Sequence, residues 1–244
     1  GVKVVKHGNR AASSKSGAAD LLEALGINIG LDGTGVEKTF AELGIGFCFA
    51  PVFHPAMRFA APARKELGTP TVFNILGPLA NPAQPKAAAI GVANERMHLV
   101  MAQVLSDRGV DGFVFRGDDG LDEVSISTTT QVIQIHDGKL TPSEFNPSDL
   151  GITSSSISDL AGGDAKYNAQ MTMKILAGHK GPMRDAVTLN AAFAIAAFKA
   201  DFDLPLQTQI ANAFVLANKA IDSGAALSVV KKWAELTNEI VSAR

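Results

Sequence analysis

Cysteine, tryptophan and tyrosine are scarce in this sequence, which has one of each among 244 residues. The single cysteine, Cys48, excludes a disulfide within the chain. Because it lies between Phe47 and Phe49, we expect a buried, unreactive thiol rather than a nucleophile. A near-absence of cysteine is typical of proteins from a reducing compartment, which predicts the cytoplasm.

The sequence also lacks an excess of charge and a long uninterrupted apolar run. Its formal net charge is −2, which gives no general attraction to nucleic acids or anionic membranes, so neither is expected as a partner. The longest apolar stretch, residues 187–198, is interrupted by Thr188 and Asn190, which predicts a buried helix rather than a membrane span. Any anion-binding site must therefore be local.

The strongest local feature combines cations, a glycine hinge, an amide and two hydroxyls in the run Lys6-His7-Gly8-Asn9-Arg10-Ala11-Ala12-Ser13-Ser14. A valine-rich strand at 2–5 leads into it, and Ser16 is predicted to cap a helix at 17–25 that Gly26 ends. Such a strand–loop–helix turn presents backbone N–H groups and the positive end of a helix dipole to an anion. The pattern favours a phosphate-bearing ligand, although a capped basic surface turn would contain the same residue types.

Residues 6–26 as a whole resemble the phosphoribosyl-diphosphate-binding segment of the anthranilate phosphoribosyltransferase family of tryptophan biosynthesis. Further segments occur in the order and at the spacing of that family: Phe49-Ala50-Pro51 with His54-Pro55-Ala56-Met57, then Phe73-Asn74-Ile75-Leu76-Gly77-Pro78-Leu79-Ala80-Asn81-Pro82, then Gly117-Asp118-Asp119-Gly120-Leu121-Asp122-Glu123. The similarity continues to residue 191 and covers essentially the entire chain. It implies a glycosyltransferase that moves the phosphoribosyl group from 5-phosphoribosyl 1-diphosphate to the amino group of anthranilate and releases pyrophosphate.

The resemblance also implies roles for single residues in the two substrate sites. The residues expected to bind the phosphoribosyl diphosphate are Lys6, His7, Gly8, Asn9, Arg10, Ser13, Ser14 and Ala18, and those expected to bind anthranilate are Asn9, His54 and Arg64. Some relatives have serine where this sequence has Ala18, so one hydroxyl contact is expected to be absent. The guanidinium of Arg64 suits the anthranilate carboxylate because it offers two parallel hydrogen bonds.

Catalysis is expected to depend on positioning and electrostatics rather than on a general base. His7 and His54 are expected to shape the pocket, since a weakly basic arylamine nitrogen need not lose its proton before it attacks. No residue is therefore assigned a certain catalytic role.

Asp122 and Glu123 are the candidate ligands of a metal ion. They are adjacent in a glycine-preceded turn after a predicted strand, and the resemblance implies that they bind Mg²⁺. This hard cation bridges phosphate oxygens and is commonly held by one or two carboxylates. The alternative from the residues alone is a solvated acidic loop over residues 118–123.

Alternation of strand-like and helix-like segments predicts an α/β fold with a central sheet flanked by helices. The resemblance implies a nucleoside phosphorylase/phosphoribosyltransferase-like catalytic domain over residues 1–244. Strands are predicted at 2–5, 45–50, 87–93, 112–116, 124–127 and 131–136, and helices at 17–25, 36–43, 54–67, 95–108, 164–176, 183–199, 206–223 and 225–242. Pro62 should kink or divide its helix. Asp137-Gly138 predicts a hairpin turn, Gly33-Thr34-Gly35 a turn before a helix, and residues 139–158 little regular structure.

Gly1 lies at the edge of a predicted core strand, and two family features that precede the Lys-His-Gly-Asn motif are not found in the sequence. These are a helical segment used in dimerisation and a Gly-Thr-Gly-Gly-Asp loop that contacts the diphosphate. We therefore expect an N-terminally truncated chain that binds the donor weakly and has little or no activity in isolation, and a homodimer at full length.

Two other functions compete with the transferase interpretation. A pyrimidine nucleoside phosphorylase-type enzyme attacks the same anomeric carbon with phosphate, but such enzymes have a different lysine-containing segment and use no magnesium diphosphate. A noncatalytic relative that binds nucleic acid would require a basic surface, whereas this chain is slightly acidic.

Overall fold

A computed structural model describes residues 1–11, 15–69 and 71–243. The chain divides into two compact units. The first unit comprises Gly1–Gln84, Gly162–Lys174 and Ala225–Arg244, and the second comprises Pro85–Ala161 and Ile175–Gly224. Helices and strands in the described residues confirm the predicted α/β class, with the strands distributed over two sheets.

The strands of the described residues are β1 (Val4–Gly8), β2 (Ile45–Phe49), β3 (Ala87–Gly91), β4 (Asp111–Gly117), β5 (Thr130–His136) and β6 (Lys139–Phe145). The α-helices are α1 (Ala18–Ala24), α2 (Gly33–Leu43), α3 (Ala50–Phe53), α4 (Ala61–Leu67), α5 (Leu76–Leu79), α6 (Glu95–Asp107), α7 (Ala165–Leu176), α8 (Pro182–Lys199), α9 (Leu206–Asp222) and α10 (Ala225–Ser242). Short 3₁₀ helices span Pro55–Ala60, Val72–Asn74, Pro147–Leu150 and Ile157–Leu160.

The first unit is built on the parallel pair β1 and β2, which runs from Val4 opposite Ile45 to Gly8 opposite Phe49. One of its apolar clusters consists of the buried residues Ala19, Ile27, Ile29, Phe47 and Trp233. The last helix, α10, is fixed to the segment after α1, because the hydroxyl of Thr237 accepts the N–H of Asn28 at 3.0 Å. This packing holds α1 beside the end of β1, where the predicted anion-binding loop lies.

The second unit contains a four-stranded sheet in the order β3-β4-β5-β6. Strands β3 and β4 are parallel, whereas β4, β5 and β6 pair antiparallel. Helix α8 packs on this sheet through Leu189 and Phe193, both fully buried, and the Phe193 ring meets that of Phe113 edge-on at 5.5 Å. Gly91, the last residue of β3, lies opposite Phe115, two residues before the end of β4 at Gly117. The carboxyl ends of β3 and β4 are therefore at the same edge of the sheet, where parallel sheets usually carry their ligands.

Most of the predicted elements of the second unit agree with the structure, and two do not. The Asp137-Gly138 hairpin is confirmed, with positive φ angles of +48° and +74°. The prediction of little regular structure at 139–158 is wrong, because β6 occupies Lys139–Phe145. Pro142 is tolerated there since β6 lies at the edge of the sheet. Residues 124–127, predicted as a strand, instead belong to the loop between β4 and β5.

In the first unit, one local prediction is confirmed and two are corrected. The helix predicted at 54–67 is divided into the 3₁₀ helix Pro55–Ala60 and α4, as expected from Pro62. Gly33-Thr34-Gly35 is not a separate turn but the first turn of α2, whose N-cap Asp32 accepts the N–H of Gly35 at 2.9 Å. The N-cap of α1 is Gly17 and not the predicted Ser16.

Within the described residues, no single helix is long and apolar enough to cross a membrane; α9 and α10 meet that criterion only when they are taken together as a bent pair. Cys48 is buried, as predicted, and its burial raises the pKa of the thiol.

Candidate active site

The anion-binding segment predicted at residues 6–14 begins within β1, which contains Lys6, His7 and Gly8, so the loop itself spans residues 9–17. This loop is closed by a carboxylate from the following helix. Asp20, in the first turn of α1, accepts the backbone N–H of Gly17 at 2.8 Å and that of Ala11 at 3.0 Å on the same oxygen, Oδ2. These two N–H groups lower the pKa of Asp20, with a smaller contribution from Arg10. Because one carboxylate binds both ends of the loop, the loop has a fixed base next to the N-terminus of α1.

Close backbone packing completes the loop at Gly17. A Cβ atom at this position would lie 2.5 Å from the backbone nitrogen of Ala11 and 2.8 Å from the carbonyl carbon of Arg10. Gly8, at the end of β1, is also confined, because a Cβ there would lie 2.9 Å from the Phe47 ring. Close approach therefore favours glycine at both positions that flank the loop.

The charged and amide side chains at the end of β1 and the start of the loop are exposed. Lys6 and Asn9 are exposed, and the Asn9 side-chain oxygen accepts the N–H of Arg10 at 2.8 Å. Arg10 pairs with Glu23 and, at 3.2 Å, with Asp20. In this arrangement the guanidinium of Arg10 neutralises acidic groups of α1, while the ammonium group of Lys6 is exposed to solvent beside the loop.

His7 and His54, from separate sequence motifs, meet edge-on with their ring centroids 4.9 Å apart. His7 Nδ1 lies 2.9 Å from the carbonyl oxygen of Gly77, and His54 Nε2 lies 2.9 Å from that of Ala80. Since a carbonyl oxygen only accepts, each of these nitrogens carries a proton. The amide of Asn81 adds a third connection by donating to the carbonyl of Val5 at 3.0 Å. Three of the motifs named from the sequence therefore converge at the end of β1.

The environment of His7 favours a neutral imidazole. Burial lowers the pKa of His7, and the nearby His54 and Lys6 act in the same direction, against the opposing effect of the Gly77 hydrogen bond. Its second nitrogen, Nε2, is buried and has no hydrogen-bond partner among the residues that the structure describes. Because Nδ1 holds the proton, Nε2 is a buried acceptor that can donate no hydrogen bond.

Some of the predicted site residues are only partly covered by the described structure. Ser13 and Ser14 lie outside the described residues. Arg64 lies in α4, and its side chain is likewise outside the part of the chain that the structure describes. Ala18 is the first residue of α1 and packs with its methyl group against the apolar cluster around Phe47. Its role next to the donor stays a prediction.

In the second unit, the acidic run between β4 and β5 separates into two pairs of carboxylates. Asp119 accepts the hydroxyl of Ser125 at 2.6 Å and the N–H of Leu121 at 3.2 Å, so it stabilises the loop itself. Asp118 accepts hydrogen bonds from Thr129 and Gln131. Asp122 and Glu123, the predicted metal ligands, are exposed. The run is therefore more than a solvated acidic loop, because Asp118 and Asp119 accept hydrogen bonds that fold it.

The oxygen donors of Asp122 and Glu123 suit Mg²⁺, which prefers hard oxygen ligands and retains several waters. A different cluster has metal-ligand geometry: Asp111, His136 and Asp137, whose ligand atoms lie within 4.8 Å of one another. There, His136 Nδ1 lies 3.2 Å from Asp111 and Nε2 lies 3.6 Å from Asp137. Both ring nitrogens are thus already opposite carboxylates, and imidazole is a poor ligand for Mg²⁺.

The two groups also lie at opposite ends of the same strand. Asp111 begins β4, whereas Asp122 and Glu123 follow its last residue, Gly117. A strand of seven residues is about 20 Å long. Of the two groups, the Asp122 and Glu123 pair is therefore the one at the carboxyl edge of β3 and β4.

Sequence reasoning missed four residues that shape these two regions: Asp20, Asn81, Gly91 and Asn190. Asp20 could have been found from its place in the first turn of a predicted helix, where a carboxylate accepts from free N–H groups. Asn81 precedes Pro82 in the motif of residues 73–82, and its hydrogen bond to Val5 links two segments 76 residues apart. The contacts of Gly91 and Asn190 are long-range in the sequence, and no local pattern indicates them.

Comparison with known proteins agrees with this geometry. Residues 1–227 match the family model described as "Glycosyl transferase family, a/b domain". The chain is 53% identical over 244 residues to anthranilate phosphoribosyltransferase of Rhodococcus opacus (strain B4), covering all of this chain and 67% of that protein. It thus spans about two thirds of the length of this relative.

Solved structures of anthranilate phosphoribosyltransferases are also similar to this chain. The crystal structure of anthranilate phosphoribosyltransferase (TrpD) from Thermus thermophilus superposes with a TM-score of 0.89 at 38% identity, covering 98% of this chain and 69% of that one. The Saccharomyces cerevisiae enzyme in complex with PRPP and Mg superposes with a TM-score of 0.87 at 28% identity, covering 97% and 65%. The sequence motifs, the fold and these similarities together show that the chain belongs to the anthranilate phosphoribosyltransferases of the glycosyl transferase a/b-domain family.

Proposed function

We propose that this chain provides the α/β catalytic domain, residues 1–244, for transfer of the phosphoribosyl group from 5-phosphoribosyl 1-diphosphate to anthranilate. In this reaction the bond from the anomeric carbon to the diphosphate oxygen breaks, and a bond from that carbon to the anthranilate nitrogen forms. Pyrophosphate leaves with the electron pair, and the nitrogen afterwards loses one proton. The observation that carries the proposal is the convergence of the Asp20-closed loop with His7 and His54 at the end of β1.

On the donor side, the loop of residues 9–17 would bind the phosphate-bearing substrate. Asp20 fixes the loop by accepting two of its backbone N–H groups. The exposed ammonium group of Lys6, beside the loop, would provide a cation for the phosphates. Ser13, Ser14 and Ala18 belong to the same proposed donor site on the basis of the resemblance.

On the acceptor side, Asn9, His54 and Arg64 are proposed to bind anthranilate. Arg64 supplies the guanidinium for the carboxylate. His54 is fixed through Ala80, so its ring forms a rigid wall beside His7. The His7 ring meets that wall edge-on and shapes the same pocket, where positioning of the substrate would dominate catalysis.

Asp122 and Glu123 are proposed to hold Mg²⁺. When bound, this ion would neutralise the charge that develops on the departing diphosphate. Their exposure at the carboxyl edge of β3 and β4 supports this role, as does the oxygen-only donor set. The Asp111, His136 and Asp137 cluster is proposed to be a structural polar network instead.

We propose further that the enzyme acts in the cytoplasm, as a homodimer at full length, and without a nucleic-acid or membrane partner. The single cysteine and the small net charge support these proposals. The dimer rests on the family resemblance alone.

The test follows anthranilate fluorescence after addition of phosphoribosyl diphosphate and Mg²⁺. It uses this chain and a version extended at its N-terminus by the segment that precedes the Lys-His-Gly-Asn motif in the family. We expect turnover by the extended protein, a higher Mg²⁺ requirement for Asp122→Asn, and an unchanged requirement for Asp111→Asn. Absence of turnover by a folded extended protein, together with phosphorolysis of a pyrimidine nucleoside, would replace the transferase proposal with the phosphorylase one.

A further inference from the structure

The side-chain amide of Asn190 forms a two-point contact with the backbone of Val124, which directly follows the acidic pair. Its Oδ1 accepts the N–H of Val124 at 2.8 Å, and its Nδ2 donates to the carbonyl of Val124 at 3.0 Å. Nδ2 also donates to the carbonyl of Ala186, one turn earlier in α8, at 3.0 Å. Both polar groups of one loop residue are therefore bonded to a single side chain from a helix packed on the sheet.

Close packing restrains the other end of the acidic pair. A Cβ atom on Gly91, the last residue of β3, would lie 1.7 Å from the carbonyl oxygen of Asp122 and 2.3 Å from its carbonyl carbon. The backbone of Asp122 thus rests directly against the end of β3. No residue other than glycine fits at position 91 without displacing Asp122.

Burial changes abruptly between these two restraints. Val124 is 1% exposed and belongs to the core of the second unit, whereas Asp122 and Glu123 are exposed. The side chain of Val124 is packed in the core, which restrains the position of the loop backbone at this residue. The Asn190 amide restrains the orientation of the Val124 backbone, since it bonds both the N–H and the carbonyl of that residue. The backbone that carries the two carboxylates is therefore held from both sides.

We propose that Asn190 is a positioning residue for the Asp122–Glu123 pair, and that with Gly91 it fixes the backbone from which the two carboxylates bind the divalent cation. The proposal rests on the proposed function, because it requires that pair to be the metal ligands. Residues that orient metal ligands without touching the metal typically affect metal affinity by about 10- to 100-fold. Asn190 restrains the backbone next to the two carboxylates rather than the carboxylates themselves, and we expect an effect of the same size.

A matched amide in the same unit separates positioning from ordinary stability. Asn218, on α9, accepts from buried Arg184 at 2.8 Å and donates to the carbonyl of Phe214, one turn earlier in its helix, at 3.1 Å. Like Asn190, it is half-buried and joins its own helix to another segment. The two differ in that Asn190 bonds the loop of the acidic pair.

The experiment compares Asn190→Ala, Gly91→Ala and Asn218→Ala with the unaltered protein, all in the N-terminally extended form. Binding of Mn²⁺ in the presence of phosphoribosyl diphosphate is measured by electron paramagnetic resonance, and exchange of the Val124 amide proton by NMR. We expect Asn190→Ala to raise the Mn²⁺ dissociation constant by about tenfold or more and to speed exchange at Val124. Gly91→Ala should also weaken Mn²⁺ binding, and Asn218→Ala should lower thermal stability while changing neither quantity.

Equal Mn²⁺ affinity in Asn190→Ala and Asn218→Ala would overturn the proposal even if both variants are less stable. It is also overturned if the unaltered protein turns over anthranilate but its Mn²⁺ affinity does not depend on Asp122. In that case the proposed transferase function would be retained, and only the positioning role would be rejected. Absence of both turnover and Mn²⁺ binding in the unaltered protein would instead remove the proposed function together with the positioning role.

Discussion

The carboxylate of Asp20 accepts the backbone N–H of Gly17 at 2.8 Å, and the same oxygen accepts the N–H of Ala11 at 3.0 Å. One helix residue thereby closes the loop to which four of the eight proposed donor-binding residues belong, namely Asn9, Arg10, Ser13 and Ser14. The positions of Ala11 and Gly17 therefore depend on this carboxylate.

Replacement of Asp20 by alanine should weaken donor binding, because the N–H groups of Gly17 and Ala11 lose their common acceptor and the loop opens. The dissociation constant of phosphoribosyl diphosphate, measured by isothermal titration calorimetry, should rise by about tenfold or more, corresponding to at least ~1.4 kcal/mol of binding free energy. Glu23→Gln is the control, since Glu23 forms only a surface pair with Arg10. An unchanged dissociation constant in Asp20→Ala would contradict this account.

Gly17→Ala should distort the same loop from within. The added methyl group would lie 2.5 Å from the nitrogen of Ala11, and such overpacking typically costs about 1–3 kcal/mol. Gly33→Ala is the matched control because Gly33 also lies at a helix start but has open space around its Cβ position. We expect urea unfolding to show a loss for Gly17→Ala and no loss for Gly33→Ala. Equal stabilities would show that the loop accommodates the methyl group by moving.

The sequence permits prediction of the site motifs and of most helices because those signals are local. The helix at 225–242 and the division of helix 54–67 at Pro62 were predictable from periodicity and from proline chemistry. Strand β6 was not, because its serine, threonine and proline are typical of loops and only its edge position makes Pro142 acceptable.

The same limit applies to the candidate site. His7 and His54 were predicted as pocket residues, but their tautomers are set by the carbonyls of Gly77 and Ala80, which lie 70 and 26 residues away. Likewise, the contact of Asn190 with Val124 spans 66 residues. A motif identifies which side chains are present, whereas the partners that orient them follow from tertiary packing.

The stability of the protein should fall in mild acid because His7 is held neutral. Burial lowers the pKa of His7 below its ordinary value of 6.5, so the unfolded chain takes up a proton more readily than the folded one. Above pH 6.5 His7 is neutral in both states and does not reduce the free energy of unfolding. As the pH falls from there through the folded-state pKa, the unfolded chain binds the proton first, and the free energy of unfolding decreases. Urea unfolding at several pH values measures this decrease.

The variant His7→Asn isolates the contribution of that residue. Its amide can still donate to the carbonyl of Gly77 but does not titrate. We expect a smaller decrease in the free energy of unfolding in mild acid than in the unaltered protein. A decrease of the same size in both proteins would assign the acid sensitivity to other groups.

Arg184 should be among the residues whose loss most destabilises the second unit. Its side chain is 1% exposed and donates to the carbonyl of Gly178 at 3.2 Å and to Asn218 at 2.8 Å, and it pairs with Asp222 at 2.8 Å. Arg184→Ala leaves buried acceptors unpaired and creates a cavity, which together should cost about 3 kcal/mol. Arg184→Lys should cost less, because it keeps the charge and the aliphatic stem but loses the planar fork.

Asp222→Asn distinguishes the buried hydrogen bonds of Arg184 from its ion pair. Asp222 has a side chain that is 48% exposed, and water compensates for much of its charge. We therefore expect a much smaller loss from Asp222→Asn than from Arg184→Ala in urea unfolding at neutral pH. Losses of equal size would show that the ion pair to α9, and not the contacts to Gly178 and Asn218, accounts for the contribution of Arg184 to stability.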